Sequence, residues 1–451
     1  MKKLYKFLVY ILPAVLFFSY HPVISLGQTE SMYLELSLPL IWLVIFDGVS
    51  FIQFLKERPK LNKRLFLLAP FLIFFIASII WSPNKLRAVL TVGMFILIVF
   101  AILSLIFLKK NLDNKVIVKI FLGSTIFICA WCWLQSLIDL FGAGREVSLM
   151  CAGCTSEMFG FPHPNGFAIE PQFMGNLLLA PALYIIYILT KNPSKKLYAL
   201  GFFVLATLFL TFSRGAIYSF VVALFFMLIA LGFSKKSWKC LKTVPLVLLA
   251  FLFTLNAQGI FAAASKTNDT YFTGISKSLN QLSLGIIDIS EKTPAPESEK
   301  EEPASEVPKP SAAPESAFDG YVEESTDTRL RLSDQAVKIW QQDVSTMFIG
   351  VGVGGAGTKL FENGYSASPR EIVQNEFFEI LLELGIIGLV LLVPVAILIF
   401  KETKKNKSRI FLFSLYIAFG LSFMFFSGLP NALHIFLLPA LLKYKDDIIT
   451  L

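Results

Sequence analysis

Residues 197–233 read LYALGFFVLATLFLTFSRGAIYSFVVALFFMLIALGF, and a single charge, Arg214, interrupts them. A charged side chain at membrane depth costs about 2.5–3.5 kcal/mol on insertion scales and is kept for a function or a partner. The stretch therefore reads as two membrane spans with an arginine in the tight Ser213-Arg214-Gly215 turn between them. The chain is a membrane protein, and Arg214 is its first candidate for chemistry.

Working outward, the whole chain has the same character. It is 55% hydrophobic, 14% aromatic and only 16% charged, with 45 phenylalanines among 451 residues. That composition excludes an ordinary soluble domain, because apolar runs of span length recur along it. Counting these runs predicts about twelve helices, near 5–26, 33–55, 65–81, 88–108, 116–140, 168–190, 197–212, 215–233, 242–262, 376–400, 409–428 and 431–444. The fold class expected is all-α and polytopic. It divides into an N-terminal transmembrane bundle (1–262), a large loop (263–372) and a C-terminal bundle (373–451).

The formal charge of +8 is no sign of nucleic acid. Basic clusters at Lys2–Lys6, Lys56–Arg64, Lys109–Lys119, Lys191–Lys196, Lys235–Lys242 and Lys401–Arg409 fall on alternate loops, which the positive-inside rule assigns to the cytoplasm. Both termini are then cytoplasmic. The opposite side carries Lys85, Arg87, Arg145, Arg214 and the loop 263–372, whose 10 basic and 17 acidic residues sum to −7. Met-Lys-Lys before the first apolar run suggests a signal peptide, but no small-x-small site follows it, so the run reads as an anchor.

Within the loop, 291–316 (EKTPAPESEKEEPASEVPKPSAAPES) is too polar to bury anything and is expected to be disordered. Residues 326–345 have the pattern of an amphipathic helix. At 100° per residue Arg331 shares the polar face with Asp334 and Lys338, whereas Arg329 falls near Ala336 and Trp340 on the apolar side. An arginine on that side needs a partner, which makes Arg329 the stronger site candidate.

Further candidates surround these arginines. Glu376, Glu379 and Glu383, spaced i, i+3, i+7, share one face of the helix that opens after Gln374 and Asn375. Carboxylates there should face protein or water, as partners of the arginines or as a proton acceptor. Glu170, before Pro171, suits the positive end of the helix that follows. His163, on the outer side, is a candidate acid or base. The run Gly350–Gly357 contains a GxGxxG match, but no βαβ unit frames it, so it reads as a flexible turn. Cys151 and Cys154 face outward and could pair, and one such pair is weak evidence for zinc. No metal ligand set and no cofactor is expected. Arg214 itself keeps two readings, a hairpin-capping arginine or a fixed cation for a phosphate-bearing substrate.

Ser213-Arg214-Gly215, the arginine-led helix before Gly350-Val351-Gly352, and Asn375 with Leu382-Glu383-Leu384-Gly385 occur in an order around one large loop. That order, over about 65–428, resembles the O-antigen ligase and O-antigen polymerase superfamily of bacterial envelope enzymes. The resemblance implies an all-helical membrane fold of the GT-C type and an inverting transfer of glycan from a polyprenyl-diphosphate-linked donor to a glycan or lipid-linked acceptor. The site would be extracytoplasmic, in the bacterial cytoplasmic membrane, with other polysaccharide-assembly membrane proteins as partners. By resemblance, Arg214, Arg329 and Arg331 would stabilise the diphosphate leaving group. Ligases of the family carry a histidine where this chain has Gln374, which favours a polymerase; either Glu376, Glu170 or His163 then acts as the base, or the enzyme relies on leaving-group stabilisation. Gln374, Asn375, Glu170, His163 and Glu379 are then the substrate-binding set. A transporter or flippase for lipid-linked saccharide is the competing class. It would require two related halves with broken helices, which this sequence does not display.

Overall fold

The computed structural model describes residues 2–30, 32–59, 63–108, 112–149, 151, 154–156, 162–232, 241–264, 270–283, 321–406, 408–427 and 432–442. The linker 291–316 lies outside the described residues. In chain order the elements are α1 (Lys2–Phe17), β1 (Val23–Gln28), β2 (Tyr33–Ser37), α2 (Leu38–Glu57), α3 (Ala69–Ala77), α4 (Lys85–Phe107) and α5 (Asn114–Asp139). Then come α6 (Pro171–Lys191), α7 (Lys195–Leu210), α8 (Arg214–Gly232), α9 (Val244–Ala264) and α10 (Tyr271–Leu282). The last are α11 (Tyr321–Trp340), α12 (Val344–Ile349), α13 (Ala356–Glu362), α14 (Glu376–Lys404), α15 (Arg409–Ser422) and α16 (Leu433–Leu441).

Seven of these, α2, α4, α5, α6, α8, α9 and α14, are long and apolar enough to cross a membrane, and Leu65–Ile80 and α15 are shorter apolar helices. The chain is thus a polytopic helical membrane protein, with fewer full-length spans among the described residues than the twelve counted from hydropathy. The second difference lies at the start. Residues 23–37, read as parts of two spans, form an antiparallel hairpin with Val23 opposite Ser37. Tyr33-Leu34-Glu35-Leu36-Ser37 alternates with period two, a pattern that averaging over a span-length window conceals.

The bundle is built around α6, in which every residue from Met174 to Thr190 is buried. A helix that is apolar all round is stable only when covered on every side, and α7, α8 and α15 supply that cover. Among its buried polar groups is Asn176, which donates to the Ser422 hydroxyl and meets His434 Nε2 at 2.9 Å.

The glycine run is a wedge, not a flexible turn. Helix α14 breaks at Gly385, whose φ of 62° and ψ of −167° are not helical. The break frees carbonyls of the preceding turn, which need other donors inside a membrane protein. Val351 N–H donates to Leu382 O and Gly352 N–H to Glu383 O, each at 2.9 Å, and Ala356 N–H reaches Glu383 Oε1 at 3.2 Å. Gly352 has φ +92°, and a Cβ there would lie 2.6 Å from the Ser82 backbone. Only glycine fits.

The amphipathic helix spans 321–340 and not 326–345. It buries Leu332, Ala336 and Ile339 against Leu360, Val373 and Leu382. On its exposed face Lys338 pairs with Asp334 at 2.6 Å.

Candidate functional site

Arg214 begins α8 and is buried, with 8% of its surface exposed. Ser213 caps the helix: its Oγ accepts from Ala216 N–H at 3.3 Å. Phe212, at φ 47°, makes the sharp corner that precedes it. A Cβ on Gly215 would stand 2.8 Å from the Phe425 Cβ, so the turn packs without space against the segment after α15. A helix N-terminus is the positive end of the dipole and repels a cation. An arginine buried there adds its donors to backbone N–H groups that already favour an anion. The capping arginine of the alternative reading would sit better at a helix C-terminus.

His163 stacks on Phe212, ring centroids 5.6 Å apart. Its backbone N–H donates to Cys154 O at 3.1 Å, and Cys154 is disulfide-bonded to Cys151. Burial, with the Arg214 charge adding to it, pushes the His163 imidazole down to about 3. At neutral pH it is uncharged and a weak base.

Arg329 projects from the first half of α11. Its Nη2 donates to Gln172 Oε1 at 3.1 Å and its Nε to Gln374 Oε1 at 3.4 Å. Gln374 holds φ 59°, and its amide oxygen serves as an acceptor for the arginine. Gln172 in turn donates to Phe425 O at 2.7 Å. Both arginines therefore rest on one small scaffold, the start of α6 and the turn after α15. Arg331 is exposed on the other face of α11, apart from Arg329. Asn375 caps α14, accepting from Phe377 N–H at 3.1 Å, and its Nδ2 donates to Met424 O at 3.1 Å. Glu170 stands at the N-cap of α6 but makes no side-chain cap bond. It is exposed, and the Arg329 charge acts on it.

Beside this scaffold opens a cavity of about 2840 Å³. Glu170, Glu376, Glu379, Glu383, Arg87 and Arg370 line its polar end. Its walls continue along α4 and α14 through Met94, Ile98, Leu392 and Ile399 to Arg58 and Lys405 near the other ends of the helices. Neither Arg214 nor Arg329 is among its lining residues. Glu170 connects the two regions, lining the cavity while it faces Arg329.

Glu376, Glu379 and Glu383 are buried at 4%, 9% and 8% exposure, on one face as their spacing predicted. The arginine whose charge acts on Glu379 and Glu383 is Arg87, not a loop arginine. Glu383 is committed to the glycine run through Ala356. Arg370 is committed as well: it donates to Thr29 O at 2.6 Å and Glu30 O at 3.2 Å, and lies 4.4 Å over the Tyr33 ring. It thereby fixes the N-terminal hairpin at the cavity mouth.

Sequence reasoning did not single out Arg87, Gln172 or Arg370. Arg87 carried a signal, since it is a charge directly at the start of the apolar run 88–108. Gln172 carried none. Among the described residues no group of three or more His, Cys, Asp or Glu side chains is placed to hold a metal ion.

Residues 199–393 match the O-antigen ligase family. The matched stretch begins in α7, contains Arg214, Arg329, the glycine wedge and the three glutamates, and ends in α14. No curated protein matches the chain.

Proposed function

We propose, from a chain that carries an O-antigen ligase domain, that the protein polymerises lipid-linked oligosaccharide in surface-polysaccharide biosynthesis. The observation that carries this reading is a buried Arg214 and a half-buried Arg329 on one scaffold beside a polar mouth that opens into an apolar cavity running along two membrane-length helices. A polyprenyl-diphosphate-linked glycan has those three parts, an anion, a sugar and a long hydrocarbon chain. Arg214, with the N–H groups that open α8, and Arg329, held by Gln172 and Gln374, clamp the diphosphate. As the glycosidic C1–O bond breaks, charge grows on the departing phosphate oxygen, and preorganised guanidinium donors favour that state over the ground state. Glu170 and Glu376, at the mouth, hold sugar hydroxyls. Direct displacement by the acceptor hydroxyl inverts C1.

The basic clusters and the Cys151–Cys154 disulfide support a bacterial cytoplasmic membrane protein with cytoplasmic termini and an extracytoplasmic site. Gln374, bound to Arg329 and no base, supports polymerase over ligase.

The test is reconstitution with lipid-linked oligosaccharide extracted from host cells deleted for this gene, where unconsumed substrate accumulates. Longer glycan and released polyprenyl diphosphate are measured together. Arg214→Ala and Arg329→Ala are expected to slow both by about 100-fold or more, the usual size for a lost transition-state donor. Release equal to wild type in Arg214→Ala, or movement of intact lipid-linked glycan across the bilayer without transfer, defeats the reading.

A further inference from the structure

The transfer needs a group to take the acceptor hydroxyl's proton, and the arginines cannot do so. Three carboxylates of α14 reach the cavity, and their surroundings separate them. Glu383 accepts from Ala356 N–H and anchors the glycine wedge. Glu376 sits at the first helical position, with its backbone N–H bonded to Phe423 O at 2.9 Å. Glu379 lies one turn deeper, lines the cavity and is 9% exposed. Its Oε2 is buried and meets no hydrogen-bond partner among the described residues. The carboxylate is steadied by the Val373 N–H and lies beside Ser427, while Arg87 supplies a compensating charge. A buried carboxylate oxygen without a donor is costly unless a ligand provides one.

We propose that Glu379 is the general base of the transfer, its Oε2 receiving the proton of the acceptor sugar hydroxyl, an assignment that rests on the polymerase reading above. The acceptor oxygen bonds to C1 of the donor as the C1–O bond to phosphate breaks. The electron pair leaves with the polyprenyl diphosphate, held by Arg214 and Arg329. The proton passes to Glu379 and is returned to water at the open mouth. Arg87 is a positioning residue, holding the carboxylate toward the cavity.

The experiment compares wild type, Glu379→Gln and Glu379→Asp as full-length protein in nanodiscs, with the same extracted lipid-linked oligosaccharide. Undecaprenyl diphosphate alone serves as the binding probe. Glu379→Gln is expected to lower transfer by at least about 100-fold, within the range general-base catalysis supplies, with probe affinity within about two-fold of wild type. Glu379→Asp is expected to recover part of the rate, and the acid limb of the wild-type pH profile is expected to vanish in the residual Gln activity. Should Glu379→Gln not fold, Arg87→Lys takes its place, with a lowered maximal rate, a shifted acid limb and unchanged probe affinity expected. Transfer above a third of the wild-type rate in Glu379→Gln, an acid limb that survives in it, or rate and probe affinity lost in proportion would overturn the assignment. A wild type that transfers nothing defeats the polymerase reading itself, which separates the two failures.

Discussion

Arg214 stands where a helix dipole opposes it and where burial removes its water, and those two costs are the argument for an anionic ligand. The cost of a charge in an apolar run was visible in the sequence, and so was the side of α11 on which Arg329 falls. Gln172 was not, because an uncharged amide at a helix start has no cost that composition reveals. His163 shows the same limit. Its position near the outer turn was legible, but its neutral state follows from burial and from Arg214, which are tertiary facts. That state has a measurable consequence. With the folded imidazole pushed down to about 3 and its ordinary value at 6.5, the unfolded chain binds more protons between those limits. Stability should therefore hold above pH 6.5 and fall with decreasing pH, by about 1.4 kcal/mol per unit at most. Thermal denaturation in detergent at pH 7 and pH 5 checks this. His163→Gln should flatten the dependence, and an unchanged slope in that variant removes His163 as its source.

At the scale of elements, the twelve runs counted from hydropathy include the seven membrane-length helices found among the described residues, and helical periodicity located the amphipathic helix, whose start moved by five residues. They failed at two places for one reason: backbone geometry decided there, and side-chain averages did not. The hairpin 23–37 hides its period of two in apolar sequence, and Gly350–Gly357 looked like slack chain. The run instead satisfies carbonyls released by the break at Gly385. Gly352→Ala should be destabilising by about 2–4 kcal/mol, from strain at positive φ and collision with the Ser82 backbone. A lowered melting temperature, with loss of activity only as folded protein is lost, is the expected result. Gly364, which also has positive φ but open space around it, should tolerate alanine better. Equal losses at the two positions would mean that backbone strain, not the close approach, sets the cost.

Across the whole molecule, the long cavity joins a polar mouth to apolar walls, and no local sequence pattern announces it, since α4 and α14 meet only in the fold. Gly93 lines it and has no atom within 4 Å of where a Cβ would stand. Gly93→Trp should fill that space without straining the bundle. Turnover of lipid-linked substrate is expected to fall about ten-fold, equivalent to about 1.4 kcal/mol, with the melting temperature unchanged. Full turnover with bulk at this position would show that the hydrocarbon chain lies elsewhere.

The hydrogen bonds of Asn176 impose an order on biosynthesis. The helix at the axis of the bundle leaves the ribosome 246 residues before Ser422 and 258 before His434. Until those partners are translated and inserted, its amide must be served by water, lipid headgroups or a chaperone. The bundle therefore closes from its C-terminal end, and a ribosome that stops before α15 leaves a chain whose axis is in place but unsealed.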